Sequence, residues 1–226
     1  MARISANKLG EFLTTANPMR RLRIINDQKY PSDVIVPLYR MAKAPLARYL
    51  ESNGRHAENL VSTIDRLRSD ESGTTWALND RLNTAEALEK ILLLAGRLPL
   101  EHPTYKYLNV PTRAPKLNFG GVEVSVRPDF LILATRRGRK YCGAVKFHFT
   151  KTDESSLGEQ GAQYVASLLH RWLQEIPMDG HEVRPDLCLS VDVFRGAITP
   201  APRAVTRRLS EIEAACDEIA IRWKSL

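Results

Sequence analysis

The chain has 226 residues, 43% hydrophobic and 26% charged, with a formal net charge of +7, enough for one packed domain with a helical extension. No apolar run approaches the roughly 20 residues of a membrane helix, and the first ten residues lack the apolar core of a secretory signal. Cys142, Cys188 and Cys216 form no C-x-x-C pair, so a zinc site on cysteine or an iron–sulfur cluster is not expected, and reduced thiols in a cytoplasmic location are.

The first third reads as helices. Ser5 is placed to cap a short helix with Leu9, Phe12 and Leu13. Asn17-Pro18 opens a second one, since Asn caps and Pro suits the first turn; it carries Leu22 and Ile25 and ends before Pro31. Ser32-Asp33 starts a stretch with Val36, Leu38, Leu46 and Leu50, which Pro37 and Pro45 are expected to break or kink. Further helices are expected from about 56 to 67 and, with Leu82, Ala85, Leu88 and Leu92 at helical spacing, from 78 to 96. The segment with Pro99, Pro103, Pro111 and Pro115 reads as a connector without a strand of its own.

The period changes after Gly120. Val122, Val124 and Val126 alternate with polar residues as in a half-buried strand. Phe130 to Ala134 is a second strand, Arg136 to Arg139 a turn, and Tyr141 to Phe149 the return strand. A helix follows from about 156 to 176, a strand from 187 to 193, and a last helix from 202 to 223.

Charge is concentrated in the middle. Residues 81–150 carry 12 Lys/Arg against 5 Asp/Glu, while the flanks nearly cancel. A basic centre suits nucleic acid, of either kind on charge alone, and DNA is the expected partner; a solvated basic face is the alternative. A hairpin turn centred on Arg137 and Gly138 sets Asp129 opposite Lys146. Alternation puts Cys142, Ala144, Lys146 and His148 on one face, and Val145, Phe147 and Phe149 on the other, which reads as the core face. Asp129 and Lys146 are then either a cross-strand ion pair or two parts of a site.

The run Arg127-Pro128-Asp129, strand, turn, Ala144-Val145-Lys146 resembles the PD-(D/E)xK nucleases. Gln160 and Tyr164 on the next helix resemble the Q-x-x-x-Y motif of the RecB-type branch. The resemblance implies an α+β fold, an α/β/α restriction-endonuclease-like core over residues 78–226 behind a helical region, 1–77. It implies that Asp129 binds a divalent metal, Mg2+ or Mn2+, that Lys146 assists the attacking water, and that Gln160 and Tyr164 position substrate. Tyr164 is alternatively a core aromatic. A glutamate from the preceding helix, Glu89 rather than Glu86, would complete the metal site. Arg136, Arg137, Arg139 and Lys140 at the turn would hold phosphates.

One position departs from the pattern: Ala144 stands where the family has Asp or Glu. Mg2+ needs hard oxygen ligands, so either another carboxylate compensates (Glu159 foremost, then Glu89 and Glu123) or the site no longer cleaves; His148 would suit a softer metal. Three functions follow: a metal-dependent nuclease, an inactive nuclease-fold module that binds nucleic acid or regulates, and a protein-interaction subunit whose N-terminal helices, with Leu22, Ile24 and Ile25, grip a partner. No Walker loop, G-x-G-x-x-G, H-E-x-x-H or G-x-S-x-G motif is present.

Overall fold

The computed structural model describes residues 1–31, 39–98, 105–110, 115–152, 156–176 and 178–226. The fold is mixed α+β, with seven α-helices and two mixed sheets among the described residues. None of these helices is long and apolar enough to cross a membrane.

The larger sheet has five strands. In chain order they are β2 (Tyr105–Asn109), β5 (Phe130–Arg136), β6 (Arg139–His148), β7 (Glu182–Asp192) and β8 (Ala197–Pro200), adjacent in that same order. Neighbours are antiparallel except β6 and β7, which run parallel and are joined through α6 (Gly158–Leu173). The smaller sheet places β4 (Val122–Ser125) between a parallel β1 (Ala2–Ser5) and an antiparallel β3 (Leu117–Phe119).

Helices cover both faces of the large sheet. On one side lie α3 (Arg40–Glu51), α4 (Ala57–Ser69) and α5 (Thr75–Leu94), whose core continues into Phe130, Ile132, Val145, Phe147 and Leu189. On the other side α1 (Ala6–Thr14), α2 (Pro18–Lys29), α6 and α7 (Val205–Ser225) share a core with the small sheet and with Leu131, Ala144 and Cys188. The expectation of a single core face therefore needs correcting. Cys142 and Ala144 are as buried as Val145, because small side chains there let a helical layer approach. The same holds between helices: a Cβ on Gly10 of α1 would come to 3.0 Å from the Gly161 carbonyl of α6.

Several local readings match. Ser5 caps α1, its Oγ accepting from Lys8 N, and Asn17 caps α2, its Oδ1 accepting from Met19 N at 2.9 Å. Others differ. Pro45 lies inside α3 and is buried; in the second turn it forgoes the hydrogen bond that would reach Met41 and crowds that carbonyl. Tyr105 to Asn109 is a strand, its buried Tyr105 and Tyr107 alternating with exposed Lys106 and Leu108, a short pattern hidden between prolines. Ile24 and Ile25 are buried and pack inward, so they offer a protein partner no apolar face. Ser32, Asp33, Val36, Pro37 and Leu38 lie outside the described residues, as do Pro99, Pro103 and Pro111.

Candidate nucleic-acid interface

The β5–β6 hairpin sets the geometry. Its two-residue loop has both central residues left-handed, Arg137 at φ 52° and Gly138 at φ 76°, the twist that a tight hairpin needs. Phe130 pairs with Val145 and Leu131 with Ala144, the register that the turn predicts. At the open end of the hairpin the strand pairing ends at Phe130, and Asp129 lies just beyond it. The Asp129 N–H donates to Val145 O, and its carboxylate accepts from the Phe147 N–H, both at 2.8 Å. The carboxylate thus replaces a backbone carbonyl as the last acceptor of the ladder. No ion pair between Asp129 and Lys146 occurs.

Lys146 turns toward the small sheet instead. Its Nζ donates to Arg127 O at 2.6 Å and borders a cavity of about 470 Å3 shared with Arg3, Ser5, Asn7, Lys116, Glu123 and Arg127. Burial lowers the Lys146 pKa below the ordinary lysine value; Asp129 opposes this, while Arg127 and Lys43 add to it. The recess is strongly basic. Glu123 is its sole carboxylate among the described residues and is paired with Lys116, whereas Arg3 and Arg127 are in no ion pair with a described residue. The N-terminus of α1 also faces it through Ser5, Ala6 and Asn7, and adds partial positive charge.

No protein-family model matches this chain, and no curated protein matches it.

The remaining sequence candidates are dispersed. Gln160 is exposed on α6. Tyr164, one turn on, is buried, and its hydroxyl donates to Glu211 Oε2 of α7 at 2.7 Å under the Arg208 guanidinium. Glu159 lines a separate cavity of about 530 Å3 with His148, Gln163, Asp192 and Arg195. There the buried His148 ring shares a 2.8 Å hydrogen bond with Ser190 Oγ, and burial pushes its pKa down to about 3. Glu89 is held by Arg68 at 2.8 Å, and Glu86 by Lys151. Arg136 is bound by Asp186 at 2.8 Å, while Arg137, Arg139 and Lys140 are exposed at the tip and unpaired among described residues. The tip stands eight residues from Asp129, about 26 Å at strand rise, so tip and open end cannot grip one phosphate.

These positions do not fit a Mg2+ or Mn2+ centre. Ala144 contributes a methyl group to the core, Asp129 is engaged by an amide, and Glu123, Glu159 and Glu89 face three other surroundings. Among the described residues no group of three His, Cys, Asp or Glu is arranged to hold a metal. Arg3, Lys116 and Lys43 join Lys146 from segments far apart in sequence, so spacing gave no sign of them. Arg127 was readable only as the residue before Pro128-Asp129.

Proposed function

We propose that this chain is a nuclease-fold module that holds nucleic acid, DNA in preference to RNA, without hydrolysing it. The observation that carries the reading is the recess around Lys146: four cations, one carboxylate already paired, and the end of α1, at the point where the resemblance sets a scissile phosphate. Such a recess attracts a phosphate. The antiparallel β5–β6 pair, followed by α6 and a parallel β7, supports the restriction-endonuclease-like assignment through connectivity. Ala144 supports the non-hydrolytic reading, since the carboxylate that would balance a divalent cation is replaced by a methyl group in the core.

The test measures affinity for labelled single- and double-stranded DNA across a salt series, together with product formation in Mg2+ and Mn2+. We expect binding whose logarithm falls linearly with the logarithm of salt concentration, and intact strands. Absence of binding at low salt removes the reading. Cleavage that Asp129→Ala abolishes would restore the hydrolytic one.

A further inference from the structure

The open end of the hairpin has a second cavity, of about 250 Å3, on the α3 side. Tyr39, Arg40, Lys43, Asp129, Phe147 and Phe149 line it. It is smaller than the roughly 300–1,000 Å3 that encloses a whole drug-sized ligand, and is of a size for a single planar ring system. One wall is aromatic. Tyr39 stacks on Phe149 with centroids 5.0 Å apart and planes 20° apart, and Phe149 continues to Phe147 at 6.5 Å and 28°. Tyr39 and Phe149 are only half-buried, and Arg40 and Lys43 at the rim are exposed, in no ion pair with a described residue.

Tyr39 is held there at a cost. It has a left-handed backbone, φ 61°, which a bulky residue rarely adopts. Its N–H donates at 3.3 Å to Oδ1 of Asp80, a carboxylate buried in α5. Strain of this kind persists where the surroundings fix a side chain for a purpose. The cavity and the basic recess lie on opposite faces of β6 at the same end of the hairpin: Phe147 lines the one and Lys146 the other, while Asp129 and Lys43 of the cavity both act electrostatically on Lys146.

We propose that this aromatic cavity takes an unpaired base whose backbone phosphate lies against Lys146 and Arg127, so that the strand held at the open end is single-stranded. The proposal rests on the nucleic-acid-binding reading above and names its substrate class. Bases in a duplex have both faces covered by their neighbours, whereas an unpaired base offers a π-face to an aromatic wall whatever its identity. Cations at the rim with aromatics behind them are the composition of single-strand sites.

The experiment compares a short oligothymidylate, an abasic strand of the same length and the corresponding duplex, by fluorescence anisotropy at one low salt concentration. The wild-type protein is expected to prefer the base-bearing strand over the abasic one by about tenfold and to bind the duplex more weakly than the single strand. Tyr39→Asn, which removes the ring but tolerates a left-handed backbone, should collapse the preference toward one, and Tyr39→Phe should restore it. Equal affinity for base-bearing and abasic strands, or tighter binding of duplex, overturns the single-strand assignment and leaves the phosphate recess standing. No affinity for any of the three removes both.

Discussion

The two ends of one hairpin use the same kind of charge in opposite ways. At the tip, Arg137, Arg139 and Lys140 stand in water, where a phosphate contact is screened by salt and costs little to lose. At the open end Lys146 is drawn back between β6 and the small sheet, tied to Arg127 O, with its pKa depressed by burial. A cation in that setting binds an anion with less competition from solvent, so the open end should set affinity and the tip should mainly steer.

The change that breaks the comparison outright is Gly143→Ala. A Cβ there would lie 2.1 Å from Leu187 O, at the irregularity where the β6–β7 register shifts. Backbone sits on the far side of that contact, so no rotamer relieves it. The expected loss is at least about 4 kcal/mol, read as a collapsed urea midpoint, with both ends of the hairpin failing together. A variant that keeps its midpoint would show that the two strands are not packed this closely.

His148 comes next in size. It is neutral and buried in the folded chain, with a pKa near 3 against 6.5 for the free side chain. In the unfolded chain it takes up a proton below pH 6.5, so stability falls as pH drops through 6.5 and levels off near 3. The loss reaches a few kcal/mol, about 1.4 for each pH unit crossed. His148→Asn should flatten that limb of the stability curve; equal slopes for the two proteins would place the ring in contact with solvent.

Lys146→Met sharpens the contrast between the ends. It removes a desolvated charge and keeps the bulk, so stability should change by no more than about 1 kcal/mol, while DNA affinity at low salt falls about tenfold and the salt slope drops by about one. Wild-type binding should also weaken on raising the pH before the ordinary lysine value is reached, because the depressed Lys146 pKa releases its proton early; the variant should lack that step. An affinity loss no larger than that of Arg139→Ala would erase the distinction.

The hairpin was legible because a two-residue turn leaves one register, which holds from Arg136 and Arg139 to Phe130 and Val145 and brings Asp129 into electrostatic reach of Lys146 without any knowledge of the rest of the chain. The use made of Asp129 was not legible. Whether a carboxylate at a strand end binds a ligand or closes the ladder depends on where the Phe147 N–H points, which no residue pattern encodes. The burial of Ala144 was hidden for a related reason: Cys142, Gly143 and Ala144 are small, and smallness permits a covering helix without announcing one. The four-residue β1 was too short to show a period, so Arg3 in the Lys146 recess could not be anticipated.

The smallest expected effect lies at the tip. Arg137 has a left-handed backbone that costs an ordinary residue roughly 1–2 kcal/mol and asparagine much less. Arg137→Asn should therefore raise stability by up to about 1 kcal/mol, a shift of roughly 2–4 °C in Tm for a chain of this size. If the tip steers DNA, the same change lowers the association rate and reduces the salt slope by about one, with little effect on the dissociation rate. A hairpin turn optimised for folding alone would have no reason to keep arginine at this position. Stability gained together with association lost identifies the strain as retained for charge; stability gained with unchanged association would mean that the tip takes no part in binding and that the open end acts by itself.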